Sequence, residues 1–194
     1  MKKKIFVLMT LIFIGCQNEK KYNSLIDLVP TNPLILVKYD SSISSEKFNQ
    51  NFNNLINIKI DSVLKNYGKD EILISYHKIG KKSIVPIYFT SSENKNNNFE
   101  KIIDSILYDG SIIKKIGTEK KYKFVTKKNN VTIESESKLL VENSIRKSNH
   151  IFKEKDSDLR KLYNISNSKI ALFISDDFKT YVDNKELFSL FNIN

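Results

Sequence analysis

The apolar residues of this chain change period repeatedly, so that neither helices nor strands alone can bury them all. Leu34 to Tyr39 is a nearly continuous apolar block behind Pro30 and Pro33, which reads as a strand. Phe48, Phe52, Leu55, Ile56, Ile60, Val63, Leu64 and Tyr67 then fall on one helical stripe, with Ser44 or Ser45 to cap its start and Gly68 to close its end. From Glu71 to His77 the period drops to two, placing Ile72, Ile74 and Tyr76 on one face. A chain that switches period in this way must lay helices against a sheet.

The rest continues the pattern. Gly80-Lys81-Lys82 turns the chain into Ser83–Thr90, where Pro86 removes a ladder donor and points to an edge strand or a bulge. Ser91 to Asn98 is a polar loop. Phe99, Ile102, Ile103, Ile106 and Leu107 fit a second helix closed by Gly110. Ile112–Ile116, Tyr122–Thr126 and Val131–Ser135 read as strands, the last two joined by a tight Asn129-Asn130 turn. Helical stretches cover Val141–Phe152 and Leu159–Tyr163. Ile170–Ile174 is a late strand, and Asp176-Asp177 opens a final helix through Phe178, Tyr181, Val182, Phe188 and Phe191. The expected order is β-α-β-β-α-β-β-β-α-α-β-α. Its first six elements match a split βαβ unit, giving an α+β fold with an antiparallel sheet and helices on one face.

The first fifteen residues belong to a different physical class. Lys2, Lys3 and Lys4 form a cationic start, and Ile5 to Ile14 is an apolar run broken only by Thr10. That run is too short for a permanent span, which needs about 20 apolar residues. Phe13-Ile14-Gly15-Cys16 resembles the lipobox of bacterial lipoproteins, with Phe13 where leucine is usual. The resemblance implies a signal peptide over residues 1–15, cleaved between Gly15 and Cys16, with acyl chains, palmitate among them, on the new N-terminus. Two or more chains, at ~0.8 kcal/mol per buried CH₂, make such an anchor effectively permanent. Residues 16–24 then form a polar tether and residues 25–194 a single domain. Gln17 is not the aspartate that retains many lipoproteins in the inner membrane, which favours an outer-membrane destination. The weak acidity of Gln17 to Lys21 leaves periplasmic and surface display both open.

Two further stretches, Leu28-Val29-Pro30-Thr31-Asn32-Pro33 and Ser135-Glu136-Ser137-Lys138-Leu139-Leu140-Val141-Glu142-Asn143-Ser144-Ile145-Arg146, resemble a family of flavobacterial (Bacteroidota) lipoproteins of uncharacterised function. Longer members continue into a repetitive β region. Both a short member and the N-terminal part of a longer one therefore fit, and the family offers no catalytic residues to carry over.

Composition narrows the chemistry. The net charge of +10 is almost all lysine, with Arg146 and Arg160 the only arginines, and the lysines are scattered rather than clustered with aromatics. That pattern argues against a nucleic-acid partner. His77 and His150 lack metal-ligand spacing and fit surface or cap roles. Asp156 and Asp158 begin like a calcium loop, but Leu159 and Arg160 stand where oxygen ligands belong, so no metal and no cofactor is expected. Ser-x-x-Lys occurs at Ser44/Lys47, Ser111/Lys114, Ser135/Lys138 and Ser144/Lys147 without the companion motifs of penicillin-recognising enzymes. Five glycines furnish no phosphate loop. Asp176-Asp177 serves a helix start before it serves an acid–base pair. Asp61-Ser62-Val63 and Asp104-Ser105-Ile106 match a Bacteroidota O-glycosylation sequon, both inside expected helices.

The residues thus point to a non-enzymatic, lipid-anchored interaction or structural module, partnered by the membrane and by an envelope protein or glycan. The alternative is a binding lipoprotein for a glycan or lipid, with Tyr39, Tyr76, Tyr88 and Phe89 lining a cleft.

Overall fold

A computed structural model describes residues 24–40, 71–80, 83–91, 101–149 and 158–179. Cys16, the tether up to residue 23, the 44–68 helical stripe, His150, Asp156 and the chain after residue 179 lie outside the described residues. A 3-10 turn, Leu25–Leu28, precedes β1 (Ile35–Asp40), β2 (Glu71–Ile79) and β3 (Ser83–Thr90). β4 (Ile102–Tyr108), β5 (Ser111–Gly117), β6 (Tyr122–Lys128) and β7 (Val131–Ser135) follow. Then come α1 (Lys138–Asn149), α2 (Asp158–Ile165), β8 (Ile170–Ile174) and a short α3 (Asp176–Lys179).

Among the described residues, the eight strands form one antiparallel sheet in the order β4-β5-β6-β7-β3-β2-β1-β8. The fold is α+β with β predominant. The helix expected from Phe99 to Gly110 is instead β4. Ile102, Ile103, Ile106 and Leu107 fit either period, but Asp109 (φ 46) and Gly110 (φ 73) both adopt left-handed backbone. That makes a two-residue hairpin of the kind Asp-Gly favours, and it folds β4 onto β5 with Tyr108 opposite Ser111. A glycine read as a helix stop was a hairpin glycine.

Pro86 also sits differently from expectation. β3 is not an edge strand; it lies between β2 and β7. The β7 ladder reaches only Ile87, opposite Ser135, so Pro86 stands just past its end. There the Ser135 hydroxyl donates to the Pro86 carbonyl at 2.7 Å, so the side of the backbone with no N–H faces a ladder that has already stopped.

The sheet is buried on both faces along its middle. On one face Leu36, Leu73, Ile87, Phe89 and Ile133 pack with Ile26 and Leu28 of the 3-10 turn, Leu140 of α1 and Tyr163 of α2. On the other, Ile35, Val37, Tyr39, Ile72, Ile74 and Tyr76 form a second cluster that includes Phe178 of α3. The helices therefore do not all share one face. Each fully buried Ile, Leu or Phe is worth roughly 1.5–3 kcal/mol, so both layers carry the fold. Polar groups fasten α2 to the sheet, where Tyr163 donates to Glu71 Oε1 at 2.9 Å and Lys38 lies 5.4 Å from the Tyr163 ring centre, and to the 3-10 turn, where Arg160 pairs with Asp27.

Candidate functional site

The loop before β1, the end of β2, α1 and the start of α3 border a half-open cavity of about 460 Å³. Asn32 adopts a left-handed conformation (φ 54), which asparagine tolerates, and this turns the Pro30–Pro33 loop into β1. The Ser144 hydroxyl of α1 donates to the Leu28 carbonyl at 2.7 Å, clamping that loop's root to the helix. Thr31, Asn32, His77, Asn143 and Asp177 give the cavity its polar lining, while Leu34, Leu139 and Leu140 contribute apolar wall.

His77 is 4% exposed, not a surface or cap residue. The alternation of β2 placed Ser75 and His77 on the face opposite Ile72, Ile74 and Tyr76, and that face is covered rather than wet. Ser75 Oγ stands 2.7 Å from His77 Nε2, and the ring also hydrogen-bonds the Thr31 backbone. Burial, and then the nearby Lys147 charge, lower its pKa to about 4 against the upward pull of Thr31. His77 is consequently neutral at physiological pH. A serine beside a histidine is the start of a nucleophile–base pair. Here, however, Ser75 is fully buried and not part of the cavity lining, so no substrate carbonyl reaches it. The pair can brace a binding wall; it is not arranged to attack.

The other sequence candidates disperse. Ser135 and Ser144 spend their hydroxyls on the Pro86 and Leu28 carbonyls. Ser111 is buried, whereas Lys114, three residues along the same strand, is exposed on the opposite face. Arg160, in the stretch compared with a calcium loop, binds Asp27 instead. Among the described residues no three His, Cys, Asp or Glu side chains gather into a potential metal site. Tyr39, Tyr76 and Phe89 are core residues and Tyr88 packs against that core, so these aromatics do not line the cavity. Asp104-Ser105-Ile106 lies in a strand, not a helix, with Asp104 and Ser105 exposed. Among the described residues no helix is long and apolar enough to cross a membrane.

Sequence reasoning assigned no binding role to Asn32, His77, Asn143 or Asp177. One signal for them was nevertheless present. Leu28–Pro33 and Ser135–Arg146, far apart in sequence, are brought together by the fold, and each supplies three of the cavity's residues: Pro30, Thr31 and Asn32 from the first, Leu139, Leu140 and Asn143 from the second. Compared with protein-family models, curated proteins and solved structures, the chain matches none.

Proposed function

We propose that this chain is a lipid-anchored cell-envelope protein that works by binding rather than by catalysis, and that its cavity takes a small hydroxyl-rich ligand of the glycan class. The observation that carries the binding reading is the convergence of two distant segments on one cavity whose histidine is neutral and hydrogen-bonded to Ser75. Amide and carboxylate groups at Asn32, Asn143 and Asp177 pair with hydroxyls, and Leu34, Leu139 and Leu140 suit the C–H faces of a sugar ring. The same two segments carry the resemblance to flavobacterial lipoproteins, which supports placing the protein's work there. Anchoring rests on the Gly15-Cys16 junction, with the outer membrane preferred over the inner because Gln17 follows the cysteine.

Two experiments test the two halves separately. Metabolic labelling with a palmitate analogue should mark the wild-type chain and not Cys16→Ser, and the variant should leave the membrane fraction; membrane retention without label would defeat the anchor. Ligand-observed NMR against envelope oligosaccharides should give saturation transfer that Asn143→Leu reduces at least about tenfold without lowering Tm. Transfer that persists undiminished in Asn143→Leu, or no transfer to any saccharide, would remove the cavity from the reading.

A further inference from the structure

β4 ends the sheet, and among the described residues nothing pairs with its outer edge. Open edges are usually blunted by lysine or proline. In a chain with 32 Lys and Arg, Ile102–Tyr108 contains neither lysine nor proline, and Asp104 is its only charge. Its side chains are unusually open as well: Leu107 is 75% exposed and lies directly across from Ile112, itself 57% exposed, and Ile102 is 52% exposed. The backbone direction can be read from one bond. The Ser105 amide donates to its neighbour's Asp104 Oδ1 at 2.7 Å, whereas an amide aimed at β5 would be taken by that strand. Ser105 therefore faces the open edge, and strand alternation turns Leu107 the same way.

We propose that β4 pairs antiparallel with β4 of a second copy of this chain, about a two-fold axis at Ile106. A two-fold axis normal to the sheet keeps the helix-bearing faces on one side, so each residue must meet one of its own parity. About Ile106, Ser105 meets Leu107 of the second copy. Both present outward backbone, so they exchange two N–H···O bonds, and the amide released by Asp104 keeps a partner. On the α1 face, Asp104 arrives opposite Tyr108 of the second copy. In each chain the Tyr108 hydroxyl accepts from Arg146 Nε at 3.2 Å, so the freed carboxylate meets a guanidinium, twice over. A register centred on Ser105 would instead make the two Asp104 carboxylates diagonal neighbours, which is repulsive. Charge thus favours a second copy as the occupant and the Ile106 register over the Ser105 one.

Edge pairing of this length buries less than the ~1,200 Å² of a stable interface, so a dissociation constant on the order of 100 µM is expected. Sedimentation equilibrium of the processed chain, residues 16–194 with Cys16→Ser, should show a monomer–dimer equilibrium between roughly 10 µM and 1 mM. Asp104→Arg and Arg146→Glu should each weaken it at least about tenfold, and the double reversal should restore it to within about threefold. Both side chains are exposed, and circular dichroism of each variant should match the wild-type spectrum. Hydrogen exchange supplies a second reading: the Ser105 and Leu107 amides should gain protection as concentration rises. A monomer throughout, a dimer indifferent to either single reversal, or association that tightens in Asp104→Arg would overturn the proposal. The last result would make Asp104 a guard against pairing.

Discussion

The hydroxyl of Ser75 and Nε2 of His77 sit 2.7 Å apart on the covered face of β2, two residues along one strand. Because burial lowers the pKa of His77 from 6.5 to about 4, the unfolded chain binds more protons than the folded one across that window. Stability contributed by this group is full above pH 6.5 and is lost as pH falls towards 4. Replacing His77 with Gln, which keeps a hydrogen-bonding side chain but not the titration, should remove this contribution, so that the variant gains stability relative to wild type as pH falls from 7 to 4. Urea unfolding at pH 4 and pH 7 measures it.

Glu134 works in the opposite sense. It is buried on the other face of the sheet, 3.2 Å from the Lys123 ammonium, and burial raises its pKa from 4.5 to about 7. Here the folded state holds the extra proton, so its contribution is full below pH 4.5 and is lost as pH rises through 7. Between pH 4.5 and 6.5 the two slopes oppose, and the wild-type chain should be nearly flat in stability. Glu134→Gln should uncover the His77 slope, a gain of about 2–3 kcal/mol from pH 4 to 6.5. A variant as flat as wild type would mean that one of the two groups is not titrating in this range.

Gly117 and Gly80 allow a paired test of backbone against space. Both have positive φ, 125 and 65. A Cβ at Gly117 would collide with the Lys121 carbonyl and come within 3.0 Å of Tyr122 Cα, both rigid backbone, where β5 turns into β6. At Gly80 nothing lies within 4 Å. Gly117→Ala should therefore cost more than about 2 kcal/mol, and Gly80→Ala only about 1 kcal/mol from its backbone conformation. Chemical denaturation of both variants compares them directly.

The sequence made Ser83–Thr90, Val131–Ser135 and Ile170–Ile174 readable to the residue, because β-branched and aromatic residues lie between clear turn signals. β2 was placed correctly but its environment was not. Alternation tells which residues share a face, not whether the polar face is wet, and His77 and Ser75 are buried because α1 and the Pro30 loop close over them. The cavity was illegible for a related reason: its residues come from a loop, a strand end and two helix starts, and no local period connects those. Pro86 misled because its consequence depends on how far β7 extends, a property of Ser135, 49 residues away in the chain.

The hairpin at Asp109-Gly110 is where local chemistry and period disagree, so substitutions there test which one decides the structure. Both residues need positive φ, at 46 and 73. Asparagine enters that region most readily after glycine, whereas a β-branched side chain is strained there. Asp109→Asn should leave stability within about 0.5 kcal/mol of wild type, and Asp109→Val should lower it by about 1–2 kcal/mol. The loss should concentrate at the end of the sheet: in hydrogen exchange, the amides of β4 and of its partner β5 should lose protection before those of β2 and β3, which lie between other strands. Helical exchange behaviour at Ile102–Tyr108 in either variant, with protection following a four-residue spacing, would show that the period rather than the turn governs this segment.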